Sequence, residues 1–556
     1  MAVRRWLVGV SLGLVMVSGI LWFGGQRVAE SDTRPSLPAS VGSAGHGATA
    51  FYAASFGGLS MDALASNAVP WHLTAAALVL DEQRRDPSAT LSQETLARVL
   101  AQFGFLSPAS IVNLPEEAKR VGTQSPLGQT PLGQTPLGMT LGTIHPIAGT
   151  SILVSNLGCA SCHAGVTYGP EGQPQPDKVM LGMPNTSLDL EAYTQAIFKA
   201  LRAADDPERL VTAAQALFPE MTVLDRVSLR ALVLPLAQQR LASLAATDRA
   251  MPFPNGSPGS TNGVAALKVA LKTPLIGGGK ADAGFVSIPD LGDRVFKTSL
   301  LADGAYGVFG KPAQSVMTPQ GLDPSHLRAL ASITTFFTVP SMGVHPDQAR
   351  GGLPDGIAIM DFLKTYRSQA FPGSIDTALA QEGGRVYQAQ CASCHGTYQP
   401  SAAGPRLVSF PNWIGRIGTD PLRGDAFDKP LAEAVGLTSY RNIIAVHSGR
   451  GYVAPPLAGL WASAPYLHNG SVHSLRALLT PEARLKRFQV GGHALDLETV
   501  GIKVTAEGAF PLGYQPFSRS SWVETDELGR NNGGHDYGSD LSVAQKSALI
   551  EYLKTL

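Results

Sequence analysis

Apolar residues recur at helical spacing over about 188–205, 225–249, 325–338 and 355–367, and again in two segments nearer the carboxy terminus. Over 376–390 the repeating face is Leu379, Gly383, Val386 and Tyr387. Over 542–556 it is Ala544, Ala548, Leu549, Tyr552, Leu553 and Leu556. Gly383-Gly384 has no side chain to keep a second helix away, so these two helices are expected to cross closely. Thr150 to Asn156 reads as extended chain instead. Residues 125–142 read SPLGQTPLGQTPLGMTLG, a five-residue repeat. Pro withholds donors and Gly relaxes φ, which predicts an irregular loop hugging the surface; the unit is too short for a solenoid. Residues 31–60 are rich in Ser, Gly and Ala without periodicity and read as a linker.

The longest uninterrupted apolar run is Trp6 to Phe23, preceded by Arg4 and Arg5. At about 1.5 Å per residue it approaches the ~30 Å of a bilayer core. The basic flank predicts an amino terminus left in the cytoplasm and a body on the periplasmic side, held by an uncleaved anchor or released from a signal segment. Lys+Arg and Asp+Glu balance at 43 each, which argues against a nucleic-acid partner. With 60 Gly and 40 Pro, the body is expected to be mainly α with many long loops and little regular structure. The boundaries read as a membrane or signal segment at 1–30, a linker at 31–60, a first domain at 61–372 and a cytochrome-sized domain at 373–556, divided near Phe371-Pro372-Gly373.

All four cysteines lie in one five-letter phrase written twice: Cys159-Ala160-Ser161-Cys162-His163 and Cys391-Ala392-Ser393-Cys394-His395. Two thiols at this spacing add across the vinyl groups of one haem, and the following imidazole reaches the iron. The adjoining His and the lack of a spare thiol argue against a redox pair or a zinc site. The phrase therefore predicts two covalent haem c groups, with His163 and His395 as iron ligands. The predicted helix over 376–390 runs straight into Cys391, as a cytochrome c fold requires; no helix precedes Cys159.

The last methionine is Met360, so a sixth ligand for the second iron from its own domain must be a histidine: His447, His468, His473, His493 or His535. His535 is the preferred candidate, because Gly529 to Gly538 is a glycine- and asparagine-rich turn that can approach a flat macrocycle. For the first iron, His145, Met342 and His345 are each candidates, and Phe336-Phe337 is either a roof over the haem or plain helix core.

The run Ala454 to Val472, APPLAGLWASAPYLHNGSV, resembles a hallmark of the di-haem cytochrome c peroxidase superfamily, which includes di-haem peroxidases, the methylamine dehydrogenase maturase and the rubber oxygenases. The resemblance is closest to the rubber-oxygenase branch, and covers about 375–556 and the surroundings of Cys159–His163. It implies a bis-histidine second haem with its distal ligand in a loop like that of His535, and places His468 near the haems without ligating iron. Calcium is a metal known by analogy, but no Asp/Glu cluster indicates it. The peroxidases' Trp-Asp-Gly-Arg motif has as its nearest string Ala302-Asp303-Gly304-Ala305-Tyr306, lacking both Trp and Arg. Ordinary hydrogen peroxide turnover is therefore not inherited, and fold likeness does not supply a substrate.

The expected function is an oxidoreductase in which the first haem activates peroxide or dioxygen, on an apolar organic substrate where dioxygen is used. The second haem exchanges electrons with a redox partner protein. The other reading is a pure electron carrier with both irons six-coordinate.

Overall fold

A computed structural model describes residues 47–48, 50–51, 69–114, 135–144 and 152–556, apart from 205, 245–248, 280, 342–345, 403, 448 and 450. The apolar run from Trp6 to Phe23 lies outside these residues, as do His145, Met342 and His345. No helix among the described residues is long and apolar enough to cross a membrane.

The first helix, α1 (Trp71–Arg85), has no counterpart among the periodic segments. Its apolar residues run almost without interruption from Leu73 to Leu80, and nearly all are buried. A helix covered on all sides loses the amphipathic stripe that reveals one from sequence. Ser92 caps the next helix, Gln93–Ala101, by accepting from Thr95 N. Strands β1 (Met139–Ile144) and β2 (Ile152–Leu157) pair antiparallel from Met139↔Leu157 to Ile144↔Ile152. β2 delivers the chain to Cys159, in line with the extended reading of this stretch. Helices α2 (Leu190–Arg202) and α3 (Pro207–Leu217) complete a core around α1.

The predicted helix over 225–249 is broken into Val223–Ser228, a π-turn at Leu229–Val233 and Leu234–Leu244. Pro235 has no N–H to give to the preceding turn, which accounts for the altered winding. Strand β3 (Tyr306–Val308) is followed by α4 (Pro324–Ser341), α5 (Leu353–Thr365) and α6 (Thr377–Gln390), close to their predicted ranges. Strand β4 (Ile444–Val446), the single turn α7 (Leu475–Leu478) and α8 (Val543–Leu553) close the chain.

Helices α6 and α8 cross as their glycines predict. A Cβ on Gly383 would lie 1.8 Å from Ala548 O, and Tyr387 packs on Tyr552 at 5.0 Å between ring centroids. Asp376 caps α6 at Leu379 N, and Ser542 with Gln545 forms a capping box on α8. Buried Leu549 and Leu553 each contribute about 1.5–3 kcal/mol to this packing. Ala544, expected on the same face, is exposed.

Two expectations need correction. Regular structure is not sparse: helix makes up about 41% and strand about 14%. Most of the 31–60 linker lies outside the described residues; Gly47, Ala48, Ala50 and Phe51 are helical, and all but Ala48 are buried. There Phe51 meets Phe362 at 6.0 Å, and a Cβ on Gly47 would strike Ala358 O, so these residues pack on α5. The 125–142 repeat ends as packed structure, with Leu137 buried and Met139 opening β1. Gly138, at φ +75°, brings its backbone so near the first cysteine phrase that a Cβ would lie 2.0 Å from Ser161 N.

Strand pairing crosses residues 371–373: β3 pairs with β4, Val308↔Ile444 to Tyr306↔Val446. The largest buried cluster likewise takes residues from both sides.

Candidate functional site

The first cysteine phrase forms one helical turn, Cys159–His163, between β2 and the strand Ala164–Tyr168. The second forms a turn at Ala392–His395 directly after α6. Burial pushes the thiols of Cys159 and Cys162 up to about 12, with neighbouring charge adding to the effect at Cys159, and that of Cys391 up to about 11.

Both phrase histidines are held by the same device. His163 Nδ1 lies 3.0 Å from Pro289 O, and His395 Nδ1 lies 2.8 Å from Pro455 O. A carbonyl only accepts, so Nδ1 carries the proton in each ring and Nε2 is left with a lone pair for a metal. Burial lowers each imidazole to about 4, opposed at His163 by the Pro289 bond; at His395 the neighbouring His535 lowers it further. Both rings are thus neutral at ordinary pH, the form that ligates.

His535 stands across from His395, with ring centroids 6.2 Å apart. Two metal–nitrogen bonds of about 2 Å each, plus the half-width of each ring, come to roughly the same length. The pair therefore fits one iron between them. His535 adopts φ +52° and donates its N–H to Ile417 O at 2.7 Å. Gly534 beside it passes so close to Gly418 that a Cβ would lie 2.2 Å from the carbonyl carbon. The close approach that Gly534 makes is to the protein backbone at Gly418 and Thr419.

Among the described residues no other histidine ring contacts His395. His447 lies against Gly307 of β3, His473 against Phe488, and His493 is buried with Nδ1 accepting from Gly491 N. His468 stacks on Tyr452 at 4.1 Å, and burial, with Arg423 nearby, lowers it to about 3. Its carbonyl accepts from Ser287 N, two residues before Pro289. Phe336 is buried in an aromatic cluster with Tyr306 at 5.2 Å and Tyr440 at 5.0 Å, so it is helix core; Phe337 stacks on Tyr306 at 6.0 Å.

Further residues complete the site. Asn469 Nδ2 donates to Gly529 O and Asn531 O, both at 3.0 Å, and Ser471 Oγ to Asn531 O at 3.2 Å. The hallmark run therefore reaches the His535 turn through Asn469 and Ser471. Asp290, next to Pro289, accepts from Ser368 Oγ at 2.8 Å and Gly292 N at 2.7 Å. Burial raises its carboxyl to about 7 despite these bonds. Asp303, in the string that replaces the peroxidase motif, is buried 3.6 Å from the guanidinium of Arg423. Only the Asn469–Ser471 stretch was legible as part of a motif; the carbonyls of Pro289 and Pro455 have no side-chain signature.

Two family models match. One described as RoxA-like, cytochrome c-like, covers 451–489, which includes Pro455, His468 and Asn469. One described as cytochrome C oxidase, cbb3-type, subunit III, covers 378–435, which includes the second cysteine phrase. Among curated proteins the chain is similar to two uncharacterized proteins of Sinorhizobium fredii, y4iJ and y4iM, at 30% identity each. The matches cover 33% and 26% of this chain and 40% and 38% of those relatives, so the chain spans less than half the length of either. Cytochrome c domains imply covalently bound haem c, and the chain is a c-type cytochrome related to the RoxA branch.

Proposed function

We propose that the chain is an exported di-haem oxidoreductase, with one haem at Cys159–His163 and a second at Cys391–His395 held between His395 and His535. The observation that carries this reading is the 6.2 Å separation of the His395 and His535 rings, which suits one iron ligated from both faces. Haem, when bound, supplies one-electron chemistry at both sites and an open position for peroxide or dioxygen at the first.

The chain's own residues divide the work. Pro289 and Pro455 fix the tautomer and ring orientation of the proximal histidines, leaving Nε2 for metal. His535 closes the second site, which suits it to storing or relaying electrons from a redox partner protein. The first site is assigned the reactive role by difference, because the second already has His535 opposite His395. The basic flank and apolar run before residue 24 support a periplasmic location.

The test is electron paramagnetic resonance of the oxidised protein, with optical spectra after adding cyanide, imidazole or peroxide. One high-spin and one low-spin haem, with rapid ligand binding confined to the first, is the expected result. If neither haem binds any added ligand in either oxidation state, the protein is an electron carrier.

A further inference from the structure

The turn that carries His535 is short of regular structure, yet its backbone must hold an imidazole to within a few tenths of an ångström of a bonding distance. It contains the left-handed residues Gly529, Gly534, His535 and Gly538, and no helix or strand. Something else must fix it. Asn469 and Ser471 hold its beginning, at Gly529 and Asn531. The part nearest the histidine is held differently.

Arg484 follows the turn Pro481–Ala483 and lies almost wholly buried, its side chain 4% exposed. Its Nη1 donates to Asn532 O at 2.6 Å and to Gly534 O at 2.9 Å, the carbonyls three residues and one residue before His535. Its Nη2 donates to Leu478 O at 3.1 Å, and its Nε to Ala477 O at 3.4 Å. The Asp536 carboxylate, one residue past His535, lies 3.9 Å from Nη2, an ion-pair contact longer than a hydrogen bond. Four N–H groups of the guanidinium thus donate to backbone carbonyls. Two meet carbonyls at the end of α7, where a cation is favoured by the helix dipole, although α7 is only one turn long. Two meet carbonyls just before His535.

We infer that Arg484 is the positioning residue of the second haem site: its planar fork ties the His535 turn to α7 and sets the reach of the imidazole toward iron. This rests on the reading of His535 as an iron ligand. The rigid fork matters as much as the charge. Lysine has three donors on a flexible stem, so it cannot span both carbonyl pairs at once. A buried positive charge beside the ligand also disfavours the ferric form and supports a higher potential.

The experiment compares Arg484→Lys, Arg484→Gln and His535→Ala in the full chain, each first checked for two attached haems by intact mass. Low-spin signal, cyanide binding and the reduction potential of the second haem are then measured. Both arginine variants are expected to lose second-haem low-spin signal to a high-spin form that binds cyanide, Arg484→Gln more completely than Arg484→Lys. The potential should also drop in Arg484→Gln, where the charge is lost. His535→Ala is expected to lose the signal entirely and regain it on adding imidazole. If His535→Ala keeps its low-spin signal, the ligand reading itself fails and this inference with it. If His535→Ala loses the signal while Arg484→Lys and Arg484→Gln keep both signal and potential, the ligand stands and the role of Arg484 is overturned. Should Arg484→Gln fail to fold, Arg484→Lys decides alone: an unchanged spectrum overturns the inference, and a loosened ligand supports it.

Discussion

The same five letters, Cys-Ala-Ser-Cys-His, occur in two settings that share little else. The second is delivered by α6, braced by α8 and faced by His535; the first is delivered by β2 and pressed against the Gly138 backbone. What both keep is the carbonyl of a proline on Nδ1 of the histidine. The comparison separates what haem attachment needs from what a site's role needs. Spacing and the Nδ1 acceptor are common; the supporting scaffold differs.

The strongest way to break that comparison is to remove one phrase at a time. Cys391→Ala with Cys394→Ala should leave one covalent haem by intact mass, and so should Cys159→Ala with Cys162→Ala. A chain that carries one haem before any substitution would end the comparison outright.

Next in size is the face opposite His395. His535→Ala should turn one low-spin haem high-spin with both attachments intact. If His447→Ala or His493→Ala does this instead, the ligand lies elsewhere.

A third difference concerns pH. Pro289 is followed by the buried Asp290, Pro455 by a second proline. The Asp290 carboxyl is raised to about 7, so the folded chain holds a proton that the unfolded chain has released above about pH 4. Its contribution to stability therefore falls as pH rises from about 4 to 7 and stays low above that. Asp290→Asn should flatten this fall, by about 4 kcal/mol at most, in urea titrations across that range.

The smallest effect sharpens the scaffold. Gly383→Ala forces α6 from α8 and should cost about 2 kcal/mol in urea unfolding, the overpacking loss outweighing the helical gain of alanine. The added methyl has no bearing on the first phrase, whose haem spectrum should be unchanged.

The sequence was most legible where periodicity and chemistry coincide. The helices α6 and α8 and the extended approach to Cys159 carry side-chain or glycine signals that the structure bears out. Where burial is complete, periodicity fails, as at α1. Where contact is made by backbone, composition misleads: Gly47 and Gly138 look like loop residues because they allow a close approach that larger residues would block. The Nδ1 acceptors are carbonyls, which every residue possesses, so no letter marks them. Arg484 looks like any surface arginine until the carbonyls around it are counted. The role foreseen for His468 near the haems stays a proposal, while its neighbours Asn469 and Ser471 are the ones that touch the His535 turn.

The pairing of β3 with β4 bears on how this chain can be dissected. Cutting near residue 373 to obtain a free-standing cytochrome would strip β4 of its partner and expose an unpaired edge of backbone donors and acceptors, which invites self-association. The same cut would part the wholly buried Lys268 from Asp428, 3.0 Å away, leaving Asp282 at 3.5 Å as its remaining carboxylate partner. A minimal haem module from this protein must therefore carry residues 306–308 with it, so gene fragments drawn at the composition boundary are poor choices for expression.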